Sequence, residues 1–416
     1  MTGPAIEIGA AEVERLVLEL GAIGAWGGTG VWRPVYTPAW VAAADLFASW
    51  CGEAGLAVRR DAVGNVWGRL DGREGGDAIV SGSHLDTQCP GGRYDGALGA
   101  IAALLAVRAL KARFGPPKRP IEVLALCEEE GSRFPTAGFW GSSAIVGRVG
   151  PAEAEAMVGT GGETMAEAMR AVGLDPGRIA EARRTDIAAF VELHIEQGPI
   201  LEQAGLPVAI VEAITGMRHT EIVLTGVANH AGAFPMDLRQ DPMAGFAEIA
   251  GGVVATAHRM GRPAVTTVGR VAVDPNAPAI IPRAVTFTID ARHPDPVARD
   301  RLYDLHDGLI REVAGRRGLG VVSRILFDHA PCPSDPDLVA LLERGAAEQG
   351  VPTLRMASGA GHDTQQMAAV ARRVAMVFVR SREGRSHTPE EFSSVADMVA
   401  GIRVLAAGLH ALAYET

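Results

Sequence analysis

Apolar runs separated by polar loops set the layout of this chain. Near the start, VERLVLELGAIG (13–24) and AWVAAADLFASWCGEAG (39–55) repeat apolar positions at helical spacing. DAIVSGSHLD (77–86) is a short apolar run that ends in a polar loop, as a buried strand would. LGAIAALLAVRALKARFG (98–115) reads as a strongly apolar helix, and PIEVLALCEEEGS (120–132) as a second strand running into a loop. The stretch 151–184 is helical and rich in Ala and Glu, and DIAAFVELHIEQGP (186–199) is a third strand ending in polar residues. Polar residues after parallel strands are where open α/β sheets carry their chemistry.

After Gly216 the texture changes. TEIVLTGVANHAG alternates, DPMAGFAEIAGGVVATAHRMG is helical, and AVTTVGRVAVDP and RAVTFTIDARHPD are strand-like. PVARDRLYDLHDGLIREVAGRRG is again a helix. This βαββα order suits a separate α+β unit. From about Asp328 the helix and strand pattern resumes, and RVAMVFVRS (373–381) leads into another polar loop. The expected fold class is therefore α/β. A larger domain with a central mixed sheet flanked by helices, residues 1–215 and 329–416, receives a smaller inserted α+β domain, 216–328.

Composition narrows the function classes. The 416 residues are 48% hydrophobic and 21% charged, as in an ordinary globular protein. A formal net charge of -10 without a basic tract argues against a nucleic-acid surface. No run reaches the length of a membrane span, and the N-terminus reads as a surface helix without leader character. The four cysteines form no CxxC pair, which predicts free thiols in a cytoplasmic setting.

Potential metal ligands gather at the predicted strand ends: His84 and Asp86 in SHLDT, Asp95 in GGRYDG, Glu128, Glu129 and Glu130 in CEEEGSRF, His194 and Glu196 in HIEQGP, and His387 in GRSHTPEE. Mixed imidazole and carboxylate donors suit Zn, Mn, Co or Ni better than Ca or Mg. Each residue also has a plainer reading, as a core histidine, a solvated acidic face or a glycine turn. Spacing alone leaves both open. Cys89 beside His84 offers a third reading, a thiol nucleophile, although no oxyanion motif surrounds it.

The motifs DAVGNVWGRLDG, GSHLDTQCPGGRYDGALG, EEEGSRF, ELHIEQGPILEQAG, NHAGAFPM, FTIDARH, SGAGHD and MVFVRSREGRSHTPEE run nearly end to end. In them the chain resembles the allantoate amidohydrolase, N-carbamoyl-L-amino-acid hydrolase and β-ureidopropionase family. That family is a branch of the di-metal aminoacylase and carboxypeptidase-type hydrolases. The resemblance implies two divalent metal ions per subunit. Asp95 would bridge them, with His84 and His194 completing one site and Glu130 and His387 the other. Glu129 would be the general base, and Asp86 would hydrogen-bond and orient His84. His230 would supply an oxyanion donor across a homodimer interface, the inserted domain serving as lid and dimerisation unit. Arg292, Arg218 and Gln197 would contact a small substrate bearing a carboxylate.

Three departures from the family pattern remove polar groups: Ala279 where an asparagine is usual, Met217 for glutamine, and Ala233-Phe234 for Thr-Thr. A site that loses a hydrogen-bond partner typically loses about 1–3 kcal/mol of binding. The expected substrate is therefore an N-carbamoyl-L-amino acid with an apolar side chain. Allantoate, an N-acyl amino acid or a dipeptide are the alternatives, and a catalytically silent binding protein is the reading from another class.

Overall fold

A computed structural model of the chain describes residues 6–415. Its contacts separate two units. The first runs through Glu212, resumes over Ser334–Met356 and again from His362, and the second comprises Ala213–Pro333 and Ala357–Gly361. The second unit thus takes in five residues far beyond the expected 216–328. Two hydrogen bonds tie them in: Thr215 N–H donates to Ser358 O at 3.0 Å, and Arg292 Nη1 to Gly359 O at 2.8 Å.

The first unit is built on a mixed sheet. Its strands are β1 (Ala57–Arg60), β2 (Val66–Leu70), β3 (Ala78–His84), β4 (Ile121–Leu126), β5 (Ile187–Ile195), β6 (Val208–Ile214), β11 (Thr353–Ser358) and β12 (Val374–Val379). They lie in the order β6-β12-β5-β3-β4-β2-β1, with β11 also paired to β6. The central strands β12, β5, β3 and β4 are parallel, and antiparallel strands flank them. Every residue of β3, β4, β5 and β12 is buried, as parallel strands covered on both faces require. Among the covering helices are α1 (Ala10–Ala22), α2 (Pro38–Glu53), α3 (Ala97–Phe114), α6 (Pro336–Glu348) and α7 (Val395–His410). Gly99 lets α3 approach the Leu193 carbonyl of β5 more closely than any side chain would allow.

Against the expectation that no run reaches span length, Val395–Glu415 is long and apolar enough to cross a membrane. Most of this helical stretch is buried, with Ile402, Val404, Leu405 and Leu409 inaccessible in the core and α7 packed on α1 and α3. Its apolarity serves the interior.

The second unit holds β7 (Gly216–Thr225), α4 (Pro242–Met260), β8 (Val265–Asp274), β9 (Ala284–His293), α5 (Pro296–Arg317) and β10 (Gly320–His329). The antiparallel sheet has the order β8-β9-β7-β10. One face buries Ile222, Leu224, Phe287 and Ile289 with Ile249, Val253 and Ile310 of the two helices. Asp241 and Asp295 cap the helices through side chains that accept backbone N–H bonds, each followed by proline at the first helical position. The sequence pattern did not announce β10. It is an edge strand, mostly exposed on both faces, so it carries no alternation to read.

Candidate active site

The four parallel strands end on the same side of the first unit's sheet, since His84 is in register with Leu126 and Ile195 with Val379. His84 closes β3, His194 lies one residue before the end of β5, and Glu128, Glu129 and Glu130 follow β4. The loop after β12 carries Ser386 and His387.

Asp95 is the centre of this group and only 4% exposed. Its Oδ1 lies 3.4 Å from His84 Nε2 and 3.1 Å from His194 Nε2. Its Oδ2 lies 3.5 Å from His387 Nε2, which is 3.4 Å from Glu130 Oε2. Each carboxylate oxygen therefore faces a separate donor set. Glu129 Oε2 is 3.8 Å from His84 Nε2.

The hydrogen bonds fix which atoms are available. His84 Nδ1 contacts the Asp86 carbonyl at 3.0 Å, and His194 Nδ1 the Ile195 carbonyl at 2.9 Å. Carbonyls only accept, so both Nδ1 atoms carry the proton and both Nε2 atoms present lone pairs. Gly96 N–H donates to His194 Nε2 at 3.2 Å, consistent with that tautomer. Buried His84 Nε2 and Glu130 Oε1 have no hydrogen-bond partner. Lone pairs facing one another without a proton call for a cation. Ligands about 2.1 Å from one tetrahedral ion lie roughly 3.4 Å apart, close to the separations here. The residues present therefore fit divalent metal.

Electrostatics agree. Burial pushes the Glu129 carboxyl well above the ordinary glutamate value, with His84 opposing and Glu130 adding to the rise. Burial and Asp95 raise Glu130. Against the effect of its own burial, Asp95 is held well below the carboxylate range by His194 and His84. Without a cation between them, the nearby carboxylates of Asp95 and Glu129 raise His84 against the effect of its own burial. Such crowding of carboxylates is what a bound cation relieves.

Several expected roles look different in place. The hydrogen bond to His84 comes from the backbone carbonyl of Asp86, whose carboxylate is 3.7 Å away. That carboxylate instead accepts the Glu129 N–H at 3.2 Å and the Glu130 N–H at 3.1 Å, clamping the loop after β4. Glu128, at φ +49, turns inward to accept the Phe134 N–H at 3.0 Å. Gln197 Nε2 donates to Asp95 Oδ2 at 2.8 Å, while its buried Oε1 has no partner. Burial raises the Cys89 thiol, which works against a thiolate nucleophile.

In the second unit, Arg218 and Arg292 do not share a face. Arg218 pairs in register with Ala291, and Arg292 with Met217. Neighbours one residue apart along a strand point to opposite sides. Arg218 turns to the helix side, 4.1 Å over the Tyr303 ring and paired with Asp328 at 2.6 Å. Arg292 lies on the other face, forked onto Asp290 through Nε at 2.9 Å and Nη2 at 2.8 Å. The two arginines therefore cannot grip one carboxylate together, and Met217 is the residue beside Arg292. His230 is exposed at the end of a two-residue strand, Asn229–His230, that pairs with Ile280–Ile281.

Residues that the sequence reading gave no role complete the support. Buried Glu391 accepts the Tyr94 N–H at 2.8 Å and the Asp95 N–H at 2.9 Å, and Ser386 Oγ donates to Asp95 Oδ2. His362 packs edge-on against His194, with ring centroids 4.6 Å apart. Glu192 accepts from Ser83 Oγ at 2.7 Å and Thr364 Oγ1 at 2.6 Å. Ser386 and Glu391 stand in GRSHTPEE, His362 in SGAGHD and Glu192 in ELHIEQGP. Their types suggest polar support, but only the fold shows which group each one holds.

Imidazole lone pairs and carboxylates disposed about one buried aspartate, with a raised glutamate alongside, define a metal-dependent hydrolase. A profile of peptidase family M20/M25/M40 matches residues 80–411. The chain is 39% identical over 405 residues to an allantoate amidohydrolase of Escherichia coli, covering 97% of this chain and 98% of that one. It is 39% identical over 398 residues to an N-carbamoyl-L-amino acid amidohydrolase of Geobacillus stearothermophilus, covering 94% and 96%. A crystal structure of an amidase of the hydantoinase/carbamoylase family from Burkholderia multivorans superposes with a TM-score of 0.90 at 32% identity, over 98% of both chains. The chain belongs to peptidase family M20/M25/M40 and is a metal-dependent amidohydrolase.

Proposed function

We propose that this amidohydrolase cleaves the carbamoyl C–N bond of an N-carbamoyl-L-amino acid with an apolar side chain, with Glu129 as general base. The carrying observation is the two-sided Asp95 carboxylate next to Glu129. His84, Asp95 and His194 would hold one divalent cation, and Asp95, Glu130 and His387 a second; Zn, Mn, Co and Ni all suit these donors. When bound, such a pair acidifies water and polarises the substrate carbonyl.

The chain's own groups supply the rest. Glu129 takes the proton of the attacking water and returns it to the leaving nitrogen. Asp86 holds that base in place through the amides of Glu129 and Glu130. His230 donates from Nε2 to the oxygen that gains charge, a contact worth roughly 3 kcal/mol in comparable sites. Hydrolysis gives the free amino acid, carbon dioxide and ammonia.

For the substrate, we assign Arg292 to the carboxylate, as a planar fork suited to that group. Arg218, turned to the helix side and paired with Asp328, takes no part in this grip. Gln197 Oε1, buried and unpartnered, supports an N–H donor on the substrate, as the carbamoyl NH₂ provides. Met217 beside Arg292 supports an apolar amino-acid side chain. One observation favours the alternative N-acyl amino acid: the Ala279 carbonyl accepts the Ala231 N–H at 3.0 Å, which puts a methyl group where the family has an asparagine, next to His230. A cytoplasmic homodimer completes the proposal. The edge strands β8 and β10 support the dimer, since they expose Val265, Val271, Val322 and Ile325.

Ammonia and amine release across N-carbamoyl and N-acyl L-amino acids, dipeptides and allantoate, with Mn or Zn restored after chelation, tests the reading. A higher kcat/KM for allantoate than for every N-carbamoyl and N-acyl amino acid would overturn it. Glu129→Gln should keep its metal and lose turnover by several orders of magnitude.

A further inference from the structure

His230 is exposed, yet its ring is not left to choose a tautomer. Nδ1 accepts the Gly232 N–H and the Ala233 N–H, both at 3.0 Å. A nitrogen that accepts two backbone amides carries no proton, so a neutral ring must carry it on Nε2. The loop delivering those amides is closed by Phe234 N–H donating to His230 O at 3.3 Å. One side chain holds this loop from outside. Arg239 Nη2 donates to Ala231 O at 2.6 Å and Phe234 O at 2.9 Å, and Arg239 Nε donates to Phe234 O at 3.1 Å. The carbonyls on either side of Gly232 and Ala233 are thus pinned by one guanidinium, and the two amides between them stay aimed at the imidazole.

We propose that Arg239 is a positioning residue for the amidohydrolase reaction: by bracing residues 231–234 it fixes His230 as an Nε2–H donor. The loop is short and lies at the surface, and Gly232 alone would leave its amides free to turn away. A lysine in place of Arg239 has one ammonium and cannot span both carbonyls in a single plane. The kinetic part rests on the reading of His230 as the oxyanion donor. The tautomer itself does not.

Two measurements separate these. In protein labelled with ¹⁵N at its histidine rings, His230 of the wild type should show a single tautomer, with Nδ1 unprotonated. Arg239→Ala should collapse its two nitrogen signals toward an averaged pair and leave the other histidines unchanged. An unaltered His230 spectrum in Arg239→Ala overturns the proposal whatever the kinetics. The second measurement is a double-mutant cycle on the N-carbamoyl or N-acyl amino acid turned over fastest. Arg239→Ala should lower kcat about 10-fold or more with little change in KM, and Arg239→Lys should recover only part. In a His230→Ala background Arg239→Ala should have no further effect. Equal losses in both backgrounds would make Arg239 merely structural and overturn its catalytic positioning. Full kcat in His230→Ala would instead remove the reading of His230, with the spectrum still deciding the tautomer.

Discussion

Replacing Gly96 by alanine tests the metal centre without altering any proposed ligand. Gly96 sits at φ 63 and ψ -55, a conformation that costs an L-residue on the order of 1–3 kcal/mol. An added Cβ would also fall well inside 3.0 Å of Cε1, Nδ1 and Nε2 of His84, a separation real Cβ atoms essentially never show. The ring is backed by the bond from Nδ1 to the Asp86 carbonyl, so it has to tilt and weaken that bond. A tilt of about half an ångström to one ångström at a reacting centre costs up to roughly 100-fold in rate. Loss of the hydrogen bond behind a metal-bound histidine costs about 10–100-fold in metal affinity. The expected result is a folded protein with 10–100-fold weaker binding at the His84 site and at least that loss in kcat/KM. Metal per chain would be measured by mass spectrometry across a series of buffered free-zinc concentrations, with thermal melts to check folding. A folded Gly96→Ala protein with wild-type metal affinity and kcat/KM would refute the placement of Gly96 against a ligand.

Gly82 in β3 faces the Leu124 carbonyl so closely that a methyl has no room, and Gly82→Ala should leave no soluble folded protein. Recovery of a cooperative melt near the wild-type temperature would contradict that packing. Gly308 lies inside α5 with nothing within 4 Å of an added Cβ, so Gly308→Ala should stabilise by about 0.5–1 kcal/mol, read as a higher urea midpoint. Burial lowers His306 to about 4, whereas the unfolded chain takes up that proton near 6.5, so stability should be full above 6.5 and fall toward pH 4 by up to about 3 kcal/mol. Urea titrations of wild type and His306→Phe at several pH values check this, and an equal acid loss in both would rule it out.

How legible all this is from residues alone depends on range. The strands that end at His84, Leu126 and Ile195 are fully buried, so their apolar runs stand out, and the ligands follow from position at the strand ends. The α/β class follows from the same runs. Side-chain partners across the fold are another matter. Asp86 binds amides 43 and 44 residues away, and Glu391 binds amides nearly 300 residues earlier. No local pattern encodes such pairings. Arg218 and Arg292 each match a motif, yet only the register of β7 against β9 shows them on opposite faces. The edge strand β10 leaves no alternation, and the stretch from Val395 shows its span-length apolar helix, most of it buried, only in the fold.

The carbonyl that holds Arg292 has a consequence for how the protein is made. Gly359 emerges 67 residues after Arg292. At ordinary rates of synthesis that is a delay of roughly 3–13 s. A nascent chain ending at Pro333 contains every strand and helix of the α+β unit and still lacks the two carbonyls that accept from Arg292 Nη1 and the Thr215 N–H. Expressing that unit as one continuous fragment would therefore leave Arg292 on Asp290 without its second anchor, and a faithful excised version needs residues 357–361 grafted back.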